Sequence, residues 1–382
     1  MIDQKLKASA FAASALAFAS FGDAFLYAYL PVNYLLAGVP LAWVGVLLSI
    51  NRFVRIFSNT AMVRLFDIYG LRTVTILAVI TAIVSTLGYA FASSVLIWLT
   101  CRIIWGLSFS AMRVSTLAYG IQNEKQGIAL GLSRGLQEAG PMIALLFAPF
   151  LLRHFQGIDL FLVLAVGSLP ALLFAFALPK DKSTHVAAGN RWRLRIPSLF
   201  NCLTLVSAIL IDGIVVIVLG TLFLLHRPEI SLLMATSLAA FYLGYRRMCL
   251  VILSPLGGWL ADKFGVIRIF NVSLICVIAG LALVSGGWIS TGLIIMFTSY
   301  SVNAAITPGV LARTKNGSLF SVAENATWRD VGAAVGTLAG GFLLNASSLK
   351  IILFVATIVL AILFALHIIR LSRSIQVANL WR

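Results

Sequence analysis

Asn51-Arg52-Phe53-Val54-Arg55, followed by Leu65-Phe66-Asp67-Ile68-Tyr69-Gly70, is the stretch from which the fold can be read. The pattern returns 195 residues later: Arg52 corresponds to Arg247, Leu65 to Leu260, Asp67 to Asp262 and Gly70 to Gly265. In each copy an arginine sits inside an apolar run, and the run ends in Asp-x-x-Gly. An arginine in the middle of a membrane helix is costly and marks a pathway. Its recurrence at equivalent places in two halves points to a two-fold transporter with a central site.

Composition sets the same frame. The chain has 382 residues, 61% of them hydrophobic and 10% charged, with mean hydropathy +1.03. Soluble domains are about a quarter charged. The apolar runs, about 20 residues each, match the length of a spanning helix. Cys101, Cys202, Cys249 and Cys276 all fall in apolar runs without metal-ligand or disulfide spacing, and the four histidines are scattered singly. No phosphate-binding G-x-x-x-x-G-K-[ST] motif occurs, so the chain carries no ATPase of its own. No cofactor is expected.

Taken in order, the runs predict twelve transmembrane helices, six per half. The first apolar run, 8–36, is about twice as long as a signal-peptide core and reads as an uncleaved helix. The others cover 41–63, 73–92, 95–119, 128–152, 160–178, 199–225, 232–259, 269–286, 290–312, 318–345 and 350–369. The expected architecture is an all-α membrane protein with an N-terminal half (1–178), a basic central loop (179–198) and a C-terminal half (199–382). With the N-terminus inside, inner segments hold 17 Lys and Arg and outer loops hold three, Arg153, Arg227 and Lys350. That bias places both termini in the cytoplasm. It also accounts for most of the net charge of +16 and argues against nucleic-acid binding.

The repeat extends to helices 5 and 11. An offset of 192 pairs Glu138 with Asp330 and Gly140 with Gly332. Asp23 in helix 1 and Asp212 in helix 7 correspond by order and depth. The Asp-x-x-Gly segments resemble the cytoplasmic signature of the major facilitator superfamily, G-x-L-a-D-r-x-G-r-r. The second copy, Gly258-Trp259-Leu260-Ala261-Asp262-Lys263-Phe264-Gly265, is the fuller one; the first has Val63 for the leading glycine and Ile68 for the basic residue. Arg102-x-x-x-Gly106 resembles the family's helix-4 motif, with Trp105 at its glutamine position. Gly140-Pro141 resembles its helix-5 antiporter motif, with Leu136, Ala144 and Leu145 in place of three glycines. The resemblance implies a monomeric secondary transporter driven by a proton gradient, handling a small molecule in a cytoplasmic (bacterial inner) membrane. It also implies that Arg102 couples protons or stabilises the outer half.

Eight arginines and five acids, Asp23, Glu138, Asp212, Glu324 and Asp330, lie within the predicted spans. If all faced lipid they would cost about 30–45 kcal/mol, so they must pair or line a wet cavity. Arg52 and Arg247 lie near mid-span. They can act as a clamp for a carboxylate or phosphate, with Arg55, Arg246 and Arg329 as neighbours in that role. The alternative is simple neutralisation, Asp23 by Arg52 and Asp212 by Arg247. Asp23 and Glu138, with Asp212, are candidate proton carriers, since a carboxylate shielded from water can exchange a proton near neutral pH. The alternative for Glu138 is a fixed pair with Arg134 one turn away. Glu324 and Arg329, separated by about 140° around the helix, should meet different neighbours. Asp67, Gly70, Asp262 and Gly265 read as gating elements, with Asp67 able to accept from the start of the following helix. Gly140 and Pro141 permit a bend. Gly131, Gly135, Gly332, Gly336 and Gly340 have the spacing of close helix contacts. Tyr27, Asn303, Tyr119, Trp105 and Trp328 are candidate cavity residues.

The favoured expectation is proton-coupled export of a small anionic organic solute by alternating access. The rivals are a multidrug exporter using Asp23 as a cation site, anion uptake by symport or exchange with the same arginines, and a membrane enzyme or receptor.

Overall fold

The computed structural model describes residues 2–122, 126–179, 197–312, 319–345 and 348–380. The basic central segment from Lys180 to Arg195, and Lys125, Arg313, Lys315 and Arg382, lie outside the described residues.

Helices follow wherever the apolar runs predict them, because a backbone inside hydrocarbon must satisfy its own hydrogen bonds. Several spans are interrupted. The first is α1 (Ile2–Ala19) and α2 (Phe21–Asn33). Single helices follow: α3 (Leu41–Tyr69), α4 (Leu71–Ala90) and α5 (Val95–Ile121). The fifth span is α6 (Gln126–Leu146) and α7 (Ala148–His154), bent by 40° between them. The sixth is α8 (Gly157–Ser168) and α9 (Pro170–Phe176). In the seventh, α10 (Leu199–Ser207) and α11 (Val215–His226) flank a π-helical segment, Ala208–Ile214. The remainder are α12 (Leu232–Phe264), α13 (Val266–Ser285), α14 (Ile289–Ala312), α15 (Leu319–Phe342) and α16 (Leu349–Leu380). Grouped this way the elements make twelve spans. Nine of them are apolar enough to cross a bilayer by composition alone, and α6–α7 make a tenth. The other two, α12 and α15, carry Arg246 and Arg247, and Glu324, Arg329 and Asp330. The chain is a multi-pass integral membrane protein.

The described residues form two compact units: Met1–Arg191 with Val216–Ile252, and Trp192–Val215 with Leu253–Arg382. In the first, α1 packs on α5 and α6, and α5 on α3 and α4. Leu16, Phe66, Val79, Trp105, Met112 and Tyr119 lie in its apolar core. Trp105 and Tyr119 are therefore packing residues there. In the second unit, α13 packs on α14, and α15 lies along α10 and the π segment.

The internal repeat is visible in how these helices meet. A Cβ at Gly140 would overlap the Ala17 backbone, and one at the equivalent Gly332 would overlap the backbone of Leu205. Each unit thus closes its first and fifth spans through a glycine. Gly336 packs against Ile209 and Gly213 in the same way. Gly131 and Gly135 do not share this role, since added Cβ atoms there would meet nothing within 4 Å.

The two Asp-x-x-Gly segments are also alike. α3 runs through Asp67 to Tyr69 and α12 through Asp262 to Phe264, so both aspartates lie in a last helical turn rather than in a loop. Gly70 (φ 81°) and Gly265 (φ 92°) then reverse the chain in a backbone conformation that other residues rarely adopt. Asp67 is exposed and accepts no hydrogen bond among the described residues, because helix α3 continues past it. Arg72, just beyond, donates to the Phe176 carbonyl at 2.7 Å and ties α4 to the end of α9.

Candidate functional site

Three polar clusters lie inside the spans. The first is built on the face of α3 that repeats as Leu47, Leu48, Asn51, Arg52 and Arg55, positions a helix places side by side. Arg102 reaches this face from α5. It is entirely enclosed, ion-paired through Nη1 to Asp23 of α2, and donates from Nε to the Leu47 carbonyl at 2.8 Å. Gly106, one turn along, makes this reach possible: a Cβ there would lie 2.9 Å from the Asn51 carbonyl oxygen. The Arg-x-x-x-Gly spacing therefore has a local reason, with glycine bringing the helices together and arginine joining them. Asn51 donates to Asp23 Oδ1 at 3.2 Å. Tyr27 donates to the Leu48 carbonyl at 3.0 Å and accepts from Arg52 Nε at 3.2 Å. The guanidinium of Arg52 lies 5.1 Å from the Tyr27 ring centre, and that of Arg55 lies 4.5 Å from Phe109. Both distances are in the cation–π range.

The second cluster is also in the first unit. Glu138 is enclosed, with Arg134 Nη2 at 3.1 Å from Oε1 and Arg247 Nη1 on Oε2. The i,i+4 pair with Arg134 is present, and Arg247 joins it from α12. Arg246, beside it, is buried. Within the bent span that carries this glutamate, Gly140 and Pro141 follow directly.

The third cluster lies in the second unit. Asp212, on the π segment, accepts from Tyr300 Oη at 2.6 Å and from Arg329 Nε at 3.1 Å. Arg329 also lies 5.6 Å from the Tyr300 ring centre. Next to them is a cavity of about 100 Å³ lined in part by Thr204, Phe270, Tyr300, Asn303, Asn325 and Arg329. Asn303 joins α14 to α13 through the Phe270 carbonyl (3.2 Å) and Ser273 (2.9 Å). Asn325 donates to Asn201 and Thr204, both at 2.9 Å, and Asn201 donates to Glu324 at 3.2 Å.

Glu324 and Arg329 thus both meet the seventh span, Glu324 at Asn201 and Arg329 at Asp212. The expectation of different neighbours fails because Gly332 and Gly336 bring α15 so close to that span that both flanks reach it. The pairings suggested for the acids, Asp23 with Arg52, Asp212 with Arg247 and Glu138 with Arg134, left out partners supplied here: Arg102 for Asp23, Arg329 for Asp212 and Arg247 for Glu138. Sequence reasoning missed Asn51, Tyr300, Asn201 and Asn325. Asn51 was legible, since it precedes Arg52 and shares a helix face with Leu48 and Arg55. Tyr300 has a weaker signal, a hydroxyl one turn before Asn303 in an apolar run.

No family model matches the sequence, and no curated protein is similar to it. Solved structures do match. The nucleoside transporter NupG superposes with a TM-score of 0.73 at 12% identity, over 94% of this chain and 97% of that one. Its D323A mutant gives 0.73 at 13%, over 96% and 99%. The xylose transporter XylE from E. coli, in a partially occluded inward-open conformation, gives 0.72 at 11%, over 95% and 98%. At such identities the likeness is one of fold, and the chain has the twelve-helix fold of the major facilitator transporters.

Proposed function

We propose that this protein is a secondary transporter that works by alternating access on a small anionic organic solute, and that it performs no covalent chemistry. The fold supports transport. The anion reading is carried by one observation, the uneven placing of charge. Arg52, Arg55, Arg102, Arg113, Arg134, Arg246 and Arg247 all belong to the first unit, with only Asp23 and Glu138 among the span acids. The second unit has Arg329 against Asp212, Glu324 and Asp330. Charge inside a span is costly and marks a solute pathway, and a unit with this excess of arginine over acid suits a carboxylate- or phosphate-bearing solute. Arg52, held by Tyr27 rather than buried like Arg102, presents a guanidinium fork suited to such a group. The same enclosure of Asp23 by Arg102 argues against Asp23 as a site for lipophilic cations.

Proton coupling is assigned to Asp23 and Arg102, and export by antiport follows from the likeness of Gly140-Pro141 to the antiporter motif. The cavity beside Tyr300, Asn303 and Asn325 favours a second reading, an uncharged solute rich in hydrogen-bonding groups. A thermal-shift screen of the detergent-purified protein separates the two, because a ligand that binds only the folded state raises the melting temperature. Carboxylates and organophosphates are expected to stabilise the protein, and Arg52→Ala to abolish that shift while the protein still folds. Stabilisation by nucleosides or sugars alone, unchanged in Arg52→Ala, would replace the anion reading with the second. In proteoliposomes, Asp23→Asn is expected to remove the pH dependence of flux while solute exchange continues. Normal proton coupling in that variant would exclude Asp23 as the carrier.

A further inference from the structure

We infer that Glu138 is a tethered stand-in for the solute: in the empty carrier it occupies a carboxylate receptor made by Arg134 and Arg247, and the solute's anionic group takes Arg247 from it. The inference rests on the anion reading above and says which side chains receive the anion. It begins with the receptor already holding a carboxylate. The two oxygens of Glu138 each take a different guanidinium, Arg134 Nη2 at 3.1 Å on one and Arg247 Nη1 on the other. This is the arrangement by which two arginines recognise a carboxylate or a phosphate, with charge-assisted bonds from separate directions.

The accessibility of the three side chains sets the direction of exchange. The Glu138 side chain is 8% exposed, Arg247 is 31% and Arg134 is 53% exposed. The carboxylate is the most enclosed of the three side chains, and each arginine is more exposed than the acid it holds. An arriving anion meets arginine first. The two arginines are not equivalent. Arg134 is one turn from Glu138 on the same helix, α6, so it stays within reach whatever α12 does. Arg247 stands on α12 and can be shared or lost. When a solute carboxylate binds Arg247, Glu138 keeps Arg134 and no carboxylate is left bare. When the solute leaves, Glu138 again bridges both arginines.

The test uses acetate as the probe. Thermal unfolding of the full-length protein in detergent is followed for wild type, Glu138→Ala and Glu138→Ala/Arg247→Gln. Sodium acetate is titrated against sodium chloride at equal ionic strength. Glu138→Ala is expected to be stabilised saturably by acetate, with an apparent affinity at least tenfold above wild type and no such gain in the double variant. An ion pair sealed from solution and serving only to hold helices together would not be refilled by an ion from water. A folded Glu138→Ala protein indifferent to acetate, or equal stabilisation of the double variant, overturns the inference. If Glu138→Ala fails to fold, Glu138→Gln keeps the volume and a hydrogen-bonding group, and the same acetate response is required of it. Anions that stabilise wild type but not Arg52→Ala, together with an acetate-blind Glu138→Ala, would leave the anion reading standing and remove only the role of Glu138.

Discussion

Replacing Arg102 by methionine is expected to destabilise the protein by about 3–5 kcal/mol, the range for breaking a buried ion pair from one side. Arg102 has no access to solvent, and its guanidinium holds Asp23 while its Nε holds the Leu47 carbonyl. Loss of the cation leaves the Asp23 carboxylate with Asn51 as its remaining described donor in this cluster and removes the second donor that the Leu47 carbonyl has beside its helical bond. Methionine refills most of the volume, so the penalty reports charge and hydrogen bonding more than packing. The decisive comparison is the double variant Arg102→Met/Asp23→Asn, which removes both charges. It should recover a large part of the loss, because replacing both members of a buried pair by neutral groups is often close to neutral. Melting in detergent, followed by tryptophan fluorescence, measures both. A double variant that melts as low as the single one would show that Arg102 acts through packing and the Leu47 carbonyl, with Asp23 as a bystander.

Asp212→Ala is expected to have a comparable effect in the second unit, again about 3–5 kcal/mol. Asp212 accepts from Tyr300 at 2.6 Å and from Arg329 at 3.1 Å. Removing it takes the carboxylate away from a guanidinium inside a span and from a buried tyrosine hydroxyl. Tyr300→Phe removes only the hydroxyl and should cost about 1–3 kcal/mol, the range for one unsatisfied buried hydrogen-bonding partner. Asp212→Ala should therefore melt well below Tyr300→Phe. Equal melting temperatures would mean that the ion pair adds nothing beyond the tyrosine bond, and Arg329 would then be free to serve the adjoining cavity.

Much of this architecture is legible in the chain itself. Twelve apolar runs, the repeated Arg…Asp-x-x-Gly and the paired Gly140 and Gly332 come from local composition and order. In a bilayer those are strong constraints, since a spanning segment has few alternatives to a helix. The breaks within spans were less legible. Pro141 signals one near α7, whereas the π segment at Ala208–Ile214 has no proline to announce it. The candidate charged residues could be found one by one, because each is a costly exception in an apolar run. Their partners could not. Asp23 and Arg102 are 79 positions apart, and Glu138 and Arg247 are 109 apart.

The number and order of the helices, the internal repeat and the presence of charge within the spans depend on hydropathy and periodicity along one chain, and are legible there. Which arginine answers which acid emerges from the packed helices. Pairing depends on how closely helix axes approach and which faces turn together, and glycines at 106, 140 and 332 set those distances through contacts with residues far away in sequence. The same charged residues would pair differently if one of those glycines were larger, and periodicity contains no term for that.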